Sequence, residues 1–550
     1  MNSPKTFQWI VFITLLINAS AMLSPIINSG DAITYATIAH HIVLSNDWGR
    51  LVLDGHDWLD KPHLPFWLTA LSFKLGGVGA LTYILPGFIF HLIGAYYVYR
   101  LSRLFYDKPT AWLAVLIYVS IFNLMDSSIE IKAEAYLTGM ITPACYYWLR
   151  YDAQFRIKYL VLGALFTAMA IMTKGIFTLF TIFSGLVCLW AYQKEWTRLF
   201  SVKWLGAFVL SLLLIAPELW ALQLQFNQHG GSNEPGYPVN SFKFFFWDSQ
   251  FGRFFNTGPI QNHNGHPLYY VLVFLWAFLP WTVICFAAIR AQFKGFGNAV
   301  RPERSAFVFL GGTFLCTFLM FSATKFQMGY YIDIILPFAA ILCARFLSNS
   351  VIGRRLFVAQ MCLIAFIALL AISLTVYVMN YTLLATVGAI LVGVTYYIYA
   401  TRTASRTFRA ITYSVLAIDL LYVFLILLTY LAFTQNSVAY NAVKLLGKQP
   451  GMPIYVYQMP EVANELALYS KAPCYGIDDT EAFMRAGGSA YVLVKHDQVQ
   501  QLHLEPARLR TVAGMQLIVH KTGTFNKLLR LAKGTWPLEA IDFLQYTPAP

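Results

Sequence analysis

Long apolar segments recur along most of the chain, and short polar stretches separate them. A helix needs about 20 mainly apolar residues to cross a bilayer, and thirteen segments fit this requirement. They lie near residues 8–28, 79–99, 110–129, 133–150, 158–173, 175–193, 204–222, 268–289, 306–321, 330–348, 356–378, 381–400 and 410–433. The pattern predicts a polytopic α-helical membrane protein with about 13 transmembrane helices.

Two segments between these apolar stretches, near 29–78 and 223–267, are much longer than turns. In the first of them, DAITYATIAHHIVLSNDW and residues 62–75 repeat apolar side chains at helical spacing but are too short to span. Amphipathic helices that lie at the membrane surface fit this pattern. Long loops of this kind are often functional.

The pattern changes after residue 433. Residues 434–550 hold 20 of the 65 charged residues, and the short apolar runs PIYVYQM, AYVLVKH and MQLIVHK alternate there with helical stretches. We therefore predict a transmembrane domain over 1–433, followed by a small α/β domain over 434–550.

Basic residues indicate how the chain is oriented. In the transmembrane part, twenty Lys and Arg residues fall in one set of alternate loops and eight in the other. The positive-inside rule then places the N-terminus in the cytoplasm and both long segments outside. The odd number of spans places the C-terminal domain outside as well. The net charge of +13 is thus explained by topology, and no nucleic-acid partner is predicted.

Ionisable side chains collect in the outer segments. Charges at membrane depth are costly and usually serve a function or have a partner. The set consists of Asp31, Asp60, Lys61, Lys132, Glu134, Lys174, Arg253, His263, His266 and Lys325. Each has a simpler explanation on its own: Lys132 could extend to lipid headgroups, Asp31 could cap a helix, and a loop histidine is usually solvated.

Together these residues suggest a site for phosphate chemistry. Cations that face one cavity suit a phosphate or pyrophosphate leaving group. The carboxylates could act as a general base, or bind sugar hydroxyls or a metal ion. A histidine with carboxylates is compatible with a divalent ion, although the spacing here is not diagnostic.

Several of these stretches resemble a known family. They are GDAITYATIAHHIVLSNDW, DWLDKPHLPFWLTALSFKLGG, IKAEAYLTG, MTKGIFTL, FGRFFNTGPIQNHNGHPLYYV and FSATKFQMGYYIDIILP, in family order across about 30–340. In these motifs the chain resembles the bacterial members of the protein O-mannosyltransferase superfamily, and among them the transferases that modify lipid A. The resemblance implies a GT-C fold, a polyprenyl-phosphate-linked sugar as donor, and no organic cofactor.

The resemblance also implies roles for individual residues. Asp31 matches the essential acidic residue of the first outer loop, and Lys61 matches the lysine that binds the donor phosphate. Asp60 stands where the family usually has Glu, Glu134 where it has Asp, and Lys132 where it has Arg. The assignment by role is as follows: catalytic, Asp31 and Glu134; donor phosphate, Lys61, Lys174, Lys325, Lys132 and Arg253; substrate, Tyr330 and Tyr331; tentative metal ligands, Asp60 with His263 or His266.

The reaction implied is a single displacement with inversion at the anomeric carbon, with polyprenyl phosphate as the leaving group. The expected sugar is 4-amino-4-deoxy-L-arabinose from undecaprenyl phosphate, and the expected acceptor is lipid A at the periplasmic face of the inner membrane. A protein hydroxyl or another envelope glycan is the alternative acceptor. A lipid transporter or flippase is the alternative from another class, but no inverted repeat is visible, and the polar residues cluster at one face.

Overall fold

The computed structural model describes residues 4–27, 30–128, 132–228, 240–262, 264–349, 351–378, 381–447, 451–481, 488–518 and 538–548. Most of these residues are helical. The helices of ten or more residues before residue 437 are Pro4–Ser20, Gly30–Ser45, Leu64–Gly76, Ala80–Phe105, Lys108–Val119, Ala133–Gln154, Ile157–Lys174, Phe177–Gln193, Val202–Leu213, Thr282–Gly295, Arg301–Ala323, Leu336–Asn349, Arg354–Val378, Tyr381–Ala400 and Arg406–Asn436.

Shorter helical pieces connect or extend these helices. The short α-helices are Phe122–Ser127, Ala216–Leu222, Ser241–Lys243, Arg253–Phe255 and Tyr269–Ala277. The 3-10 turns are Ala21–Leu23, Trp196–Phe200, Phe296–Asn298 and Gly329–Ile335, and π-helical turns cover Gln223–Gln228 and Phe244–Gly252.

Each of the thirteen predicted transmembrane segments overlaps at least one helix of the described residues. Within the described part of the chain, eight helices are long and apolar enough to cross a membrane. A ninth is present if Tyr269–Ala277 and Thr282–Asn298, bent by 112° relative to each other, form one span. The polytopic helical architecture is therefore confirmed, whereas the count of thirteen spans stays a prediction.

The two surface helices predicted in the first long segment are present as Gly30–Ser45 and Leu64–Gly76, and they pack against each other. A small hairpin lies between them, with strand β1 at Val52–Leu53 and strand β2 at His56–Asp57. Pro65 is the second residue of the second helix, in the first turn where proline's missing N–H costs nothing. The first outer segment is thus a structured unit.

The C-terminal residues form a five-stranded mixed sheet. Its strands are β3 (Ile454–Tyr457), β4 (Cys474–Ile477), β5 (Ala490–Lys495), β6 (Leu509–Ile518) and β7 (Leu538–Tyr546), in the order β4-β3-β5-β7-β6. Strand β3 runs parallel to β4 and β5, whereas β7 is antiparallel to β5 and β6. Helices Val438–Leu446 and Pro460–Tyr469 and the 3-10 turns His496–Leu502 and Pro506–Arg508 accompany the sheet. This confirms the small α/β part of the predicted fold.

Apolar side chains form separate cores in the two parts of the chain. The largest core joins the helices from Phe7 to Val415, and two smaller ones line the two faces of the C-terminal sheet. One C-terminal residue, Leu468, belongs to the large core. The predicted boundary at 433 falls inside the helix Arg406–Asn436, and the division into two domains stays a prediction.

Candidate active site

Aromatic packing fixes the two surface helices of the first outer segment. The ring of Tyr35 lies 4.9 Å from that of Phe66 and 6.2 Å from that of Trp58, measured between centroids. Aromatic pairs at such distances stabilise beyond their buried area. Asp31 lies in the first turn of Gly30–Ser45 with its side chain exposed, so a rigid helix presents this carboxylate to the surroundings.

A carboxylate bridges two cations next to these helices. One oxygen of Asp60 accepts a hydrogen bond from Lys61, and the other accepts one from Arg253. Arg253 also donates to the backbone oxygen of Asp60 at 3.1 Å. Because Arg253 comes from the second long outer segment, this cluster joins the two outer segments.

Burial and the neighbouring charges shift the pKa values of Asp60 and Lys61. Burial alone would raise the pKa of Asp60, but the attraction of Lys61 and Arg253 outweighs it and lowers the pKa. Burial lowers the pKa of Lys61, as does the charge of Arg253, while Asp60 and Asp31 oppose this shift. Asp31 therefore lies close enough to Lys61 to interact with it.

A second carboxylate holds the turn that carries this cluster. Glu218 and His63 are both fully buried, and Glu218 accepts hydrogen bonds from the His63 backbone N–H at 3.0 Å and from its Nδ1 at 2.9 Å. His63 directly precedes the helix Leu64–Gly76. Glu218 thus ties the Asp60–Lys61 turn to the helix Ala216–Leu222.

Lys174 ends the helix Ile157–Lys174 and forms an ion pair with Glu134, whose side chain is 1% exposed. Its Nζ lies 3.5 Å from the centroid of the Tyr331 ring, within cation–π range. The next residue, Gly175, has φ +101° and ψ −173°, a conformation that is essentially restricted to glycine. This turn places the lysine next to the ring.

A second cation–π contact involves Lys132 and Tyr330. Nζ of Lys132 lies 4.7 Å from the centroid of the Tyr330 ring. Tyr330 and Tyr331 belong to the 3-10 turn Gly329–Ile335, which ends just before the helix Leu336–Asn349. In the same turn, buried Asp333 accepts hydrogen bonds from Asn123 and Ser127. These bonds fix the turn that carries both tyrosines.

A cavity opens beside the cations. Its volume is about 630 Å³, counting all space not filled by atoms and including the open mouth. Lys174 and Arg253 line it together with mainly apolar side chains: Leu137, Phe177, Phe254, Met320, Phe321, Phe326, Tyr331 and Ile334. Lys61 shares the Asp60 carboxylate with Arg253, so a third cation lies next to the cavity lining. Positive charge beside apolar walls suits a ligand with an anionic head and a hydrocarbon tail.

The fold of this chain also occurs in solved structures. The fold matches that of ArnT from Cupriavidus metallidurans bound to undecaprenyl phosphate, with a TM-score of 0.71 over 98% of each chain at 16% identity. The apo structure of that protein gives 0.68 over 97% of each chain. The chain has the ArnT-like GT-C glycosyltransferase fold. The chain is also a multi-pass membrane protein, in agreement with the eight or nine long apolar helices among the described residues.

Sequence comparisons agree with this ArnT-like fold over part of the chain. Residues 60–220 match the model of the dolichyl-phosphate-mannose-protein mannosyltransferase family. The undecaprenyl phosphate-alpha-4-amino-4-deoxy-L-arabinose arabinosyl transferase 2 of Proteus mirabilis is 27% identical over 56% of this chain and 52% of its own length. The corresponding transferase of Shewanella sediminis is 26% identical over 58% and 56%. The chain thus spans about half the length of the curated relatives it matches.

Within this ArnT-like fold, most predicted site residues come together. Asp60, Lys61 and Arg253 form one cluster, and Lys174 and Glu134 form another next to Tyr331. Lys325 is exposed and contacts the site region through its backbone, which accepts a hydrogen bond from Gly265 and donates one to Phe254. The assigned roles stay predictions.

The predicted metal ligands are only partly placed. His263 lies outside the described residues, and His266 is exposed, with Nδ1 accepting a hydrogen bond from the backbone N–H of Leu268. Both oxygens of Asp60 are engaged by cations, and a divalent ion would add further positive charge beside Lys61 and Arg253. Among the residues that the structure describes, no three His, Cys, Asp or Glu side chains group as metal ligands. The metal site at Asp60 with His263 or His266 stays a prediction.

Sequence reasoning missed two residues that shape this site. Gln250 donates from Nε2 to the Lys174 backbone oxygen at 3.3 Å, and its Oε1 accepts from the Phe177 N–H at 3.5 Å. Because Gln250 carries no charge, the cost of burying an ionised side chain does not single it out in the sequence. His63 was overlooked although it sits inside the Lys61-Pro62-His63 motif, because only the fold shows its partner Glu218.

Proposed function

We propose that this protein is a glycosyltransferase that moves 4-amino-4-deoxy-L-arabinose from undecaprenyl phosphate to lipid A at the outer face of the inner membrane. The observation that carries this proposal is the cavity with Lys174 and Arg253 beside apolar walls. The names of the relatives and of the matched crystal structure support the choice of donor. The N-terminus then lies in the cytoplasm and the C-terminal domain in the periplasm, as the basic residues predict.

In this proposal the donor phosphate lies among Lys61, Lys174 and Arg253. Guanidinium and ammonium groups bind phosphate oxygens through charge-assisted hydrogen bonds. The polyprenyl chain extends along apolar walls that include Phe254, Phe326 and Ile334. Burying hydrocarbon there is favourable by about 25 cal/mol for each Å² removed from water.

The reaction breaks the bond between the anomeric carbon and the phosphate oxygen, whose electron pair leaves with polyprenyl phosphate. The acceptor oxygen forms the new bond to the same carbon from the opposite side, so the configuration inverts. The cations stabilise the charge that develops on the leaving phosphate, which is the place where electrostatic catalysis is most effective. No step requires a metal ion or an organic cofactor.

Asp31 is the residue that we assign to the acceptor. It is exposed in the first turn of its helix and lies near Lys61. A lipid A phosphate is already ionised and needs no base, so Asp31 would orient it or the attached sugar. Glu134 is buried against Lys174, which supports a role in holding this lysine.

A second candidate function differs only in the acceptor. The family model matched by residues 60–220 describes protein mannosyltransferases, which favours a Ser or Thr hydroxyl as acceptor. In that case Asp31 would act as general base, because a hydroxyl must lose its proton during the transfer. The donor site would be the same.

The test is an assay of the purified full-length chain with the undecaprenyl-phosphate-linked sugar, using either lipid A or a Ser/Thr-rich peptide as acceptor. Release of undecaprenyl phosphate and a mass increase of lipid A are expected. A mass increase of the peptide alone would favour the second candidate. If neither acceptor leads to release of the polyprenyl phosphate, the proposed function is wrong.

Two lysine variants sharpen this assay. Lys174→Ala removes a cavity cation and should lower kcat/KM for the donor by about 100-fold, a common loss for one group that stabilises transition-state charge. Lys243→Ala is the matched control, because the Lys243 side chain is 66% exposed in the same outer region. Equal activities of the two variants would remove Lys174 from the site.

A further inference from the structure

We propose that the C-terminal domain positions the acceptor end of the active site, with Tyr469 and Asn464 as its positioning residues. This inference rests on the proposed function and deepens it. Both residues lie on the helix Pro460–Tyr469, which packs against the helix Gly30–Ser45 that carries Asp31. A domain that is distant in sequence thus contacts the segment that holds the predicted catalytic carboxylate.

The first contact lies four residues before Asp31. The Tyr469 hydroxyl accepts a hydrogen bond of 2.8 Å from the backbone N–H of Ile27. Ile27 and Leu468 are each 3% exposed and belong to the core of the transmembrane helices, so the end of the C-terminal helix is inserted into this core. Burial raises the pKa of Tyr469 well above its ordinary value, which keeps the hydroxyl neutral. This hydrogen bond joins the C-terminal domain to the segment that leads into Asp31.

The second contact lies six residues before Asp60. Nδ2 of Asn464 donates to Oδ1 of Asp54 at 2.6 Å. Asp54 occupies the tight turn of the β1–β2 hairpin with φ +52°, and this hairpin leads directly into the turn of Asp60 and Lys61. The same helix therefore holds the chain ahead of both predicted site carboxylates.

These anchors act on the geometry of the site without touching substrate. The two contacts flank the helix Gly30–Ser45 and restrain its position relative to the donor cations. A single hydrogen bond contributes about 1 kcal/mol net, so losing one would shift the equilibrium between the anchored and the released arrangement about fivefold toward the released one. For the Ile27 anchor the effect should appear in kcat, because the donor cations Lys61, Lys174 and Arg253 lie outside the segment that this anchor holds.

The test for the first anchor compares Tyr469→Phe with Tyr475→Phe in the full-length protein. Tyr475 stacks on Tyr455 in the C-terminal sheet and is 49% exposed, so its hydroxyl is a suitable control. Hydrogen exchange of the peptide that includes Ile27 should become about fivefold faster in Tyr469→Phe alone. In the transferase assay, kcat should fall about fivefold with an unchanged KM for the donor.

The test for the second anchor is a swap of the pair. Asn464→Asp places two carboxylates opposite each other and should lower kcat, and adding Asp54→Asn should restore it by exchanging donor and acceptor. This rescue distinguishes positioning from a general loss of folding.

The outcomes separate the two proposals. If the wild type transfers no sugar, the proposed function fails, and hydrogen exchange still decides whether the anchor exists. If Tyr469→Phe exchanges and turns over like Tyr475→Phe, or if the swapped pair stays as slow as Asn464→Asp, the positioning role is overturned.

Discussion

Gly175→Ala tests whether the turn after Lys174 has the strained geometry that the site requires. The residue has φ +101° and ψ −173°, and a Cβ added there would lie 2.1 Å from Nε2 and 2.5 Å from Cδ of Gln250. Both distances are far below any real Cβ contact. Alanine at this position therefore has to change the backbone and displace the Gln250 side chain.

The magnitude follows from these two effects. Backbone in this glycine region costs an alanine about 1–3 kcal/mol. Displacing Gln250 breaks its hydrogen bonds to the Lys174 oxygen and the Phe177 N–H, each contributing about 0.5–1.5 kcal/mol. We expect the free energy of unfolding to fall by about 2–6 kcal/mol. A shift of Lys174 by about 1 Å would also lower kcat/KM by about 100-fold.

The assay is chemical unfolding in detergent micelles combined with the transferase reaction. Gly206→Ala is the matched control, because Gly206 lies within the helix Val202–Leu213 and an added Cβ there has no neighbour within 4 Å. This control should be neutral or stabilising by up to about 1 kcal/mol, since alanine favours helix.

A double variant isolates the steric part. Gln250→Ala removes the atoms that the new Cβ would meet, so the loss in Gly175→Ala/Gln250→Ala should be smaller than the sum of the two single losses. Additive losses would show that the side chain is not displaced. If Gly175→Ala unfolds within about 0.5 kcal/mol of the wild type and keeps its catalytic efficiency, the reasoning about this turn is wrong.

Three further predictions concern the carboxylates of the site. Glu218→Leu removes the acceptor of two buried hydrogen bonds from His63 and should lower the free energy of unfolding by about 2–4 kcal/mol, with a smaller loss for Glu218→Gln; equal stability of Glu218→Leu and wild type would contradict this. Pairing with Lys61 and Arg253 lowers the pKa of Asp60 in spite of burial. The ion pairs of Asp60 therefore stabilise the fold above its pKa in the unfolded chain, about 3.9, and this stabilisation is lost as the pH falls through its lower pKa in the folded chain. The stability difference between wild type and Asp60→Asn should therefore shrink as the pH falls below about 3.9, and a difference that stays constant through acid pH would count against the ion pairs. Dialysis against EDTA should leave kcat unchanged, because both Asp60 oxygens are engaged by cations; a loss that added divalent ions restore, with the metal content measured in parallel, would establish a metal site.

Local composition made most of the helical architecture predictable. A run of apolar residues must be buried in lipid or protein wherever the rest of the chain goes, so all thirteen segments are helical. The positions at which two of these segments divide into separate helices were harder to predict. The segment 204–222 divides before Ala216, where Pro217 follows, and the segment 268–289 divides at Pro280. Proline removes a helical hydrogen bond, so Pro217 and Pro280 mark these two breaks in the sequence.

The pairing of the site residues could not be predicted in the same way. The sequence predicted that Asp60, Lys61 and Arg253 lie on the same side of the membrane, but Arg253 is 193 residues away from its partner Asp60. The same holds for Glu218 and His63, which are 155 residues apart in the sequence. Partners at such separations depend on how the helices pack, and one sequence contains no direct signal for that.

The balance of charge in the site explains how it could bind the donor and still release the product. Lys61, Lys174 and Arg253 form ion pairs with two carboxylates, Asp60 and Glu134, so these paired groups carry one net positive charge. In the proposed reaction the donor is a phosphodiester with one negative charge, whereas the product is a phosphate monoester with about −1.5 to −2 at pH 7.

The cations thus stabilise the charge that develops in the transition state more than that of the bound donor, which is what catalysis requires. Asp60 and Glu134 then compete with the product for the same cations. Glu134→Gln would remove one competitor, so undecaprenyl phosphate should inhibit this variant at a lower concentration and leave it more slowly. Product-inhibition kinetics measure both quantities, and inhibition weaker than in the wild type would show that Glu134 does not oppose product binding.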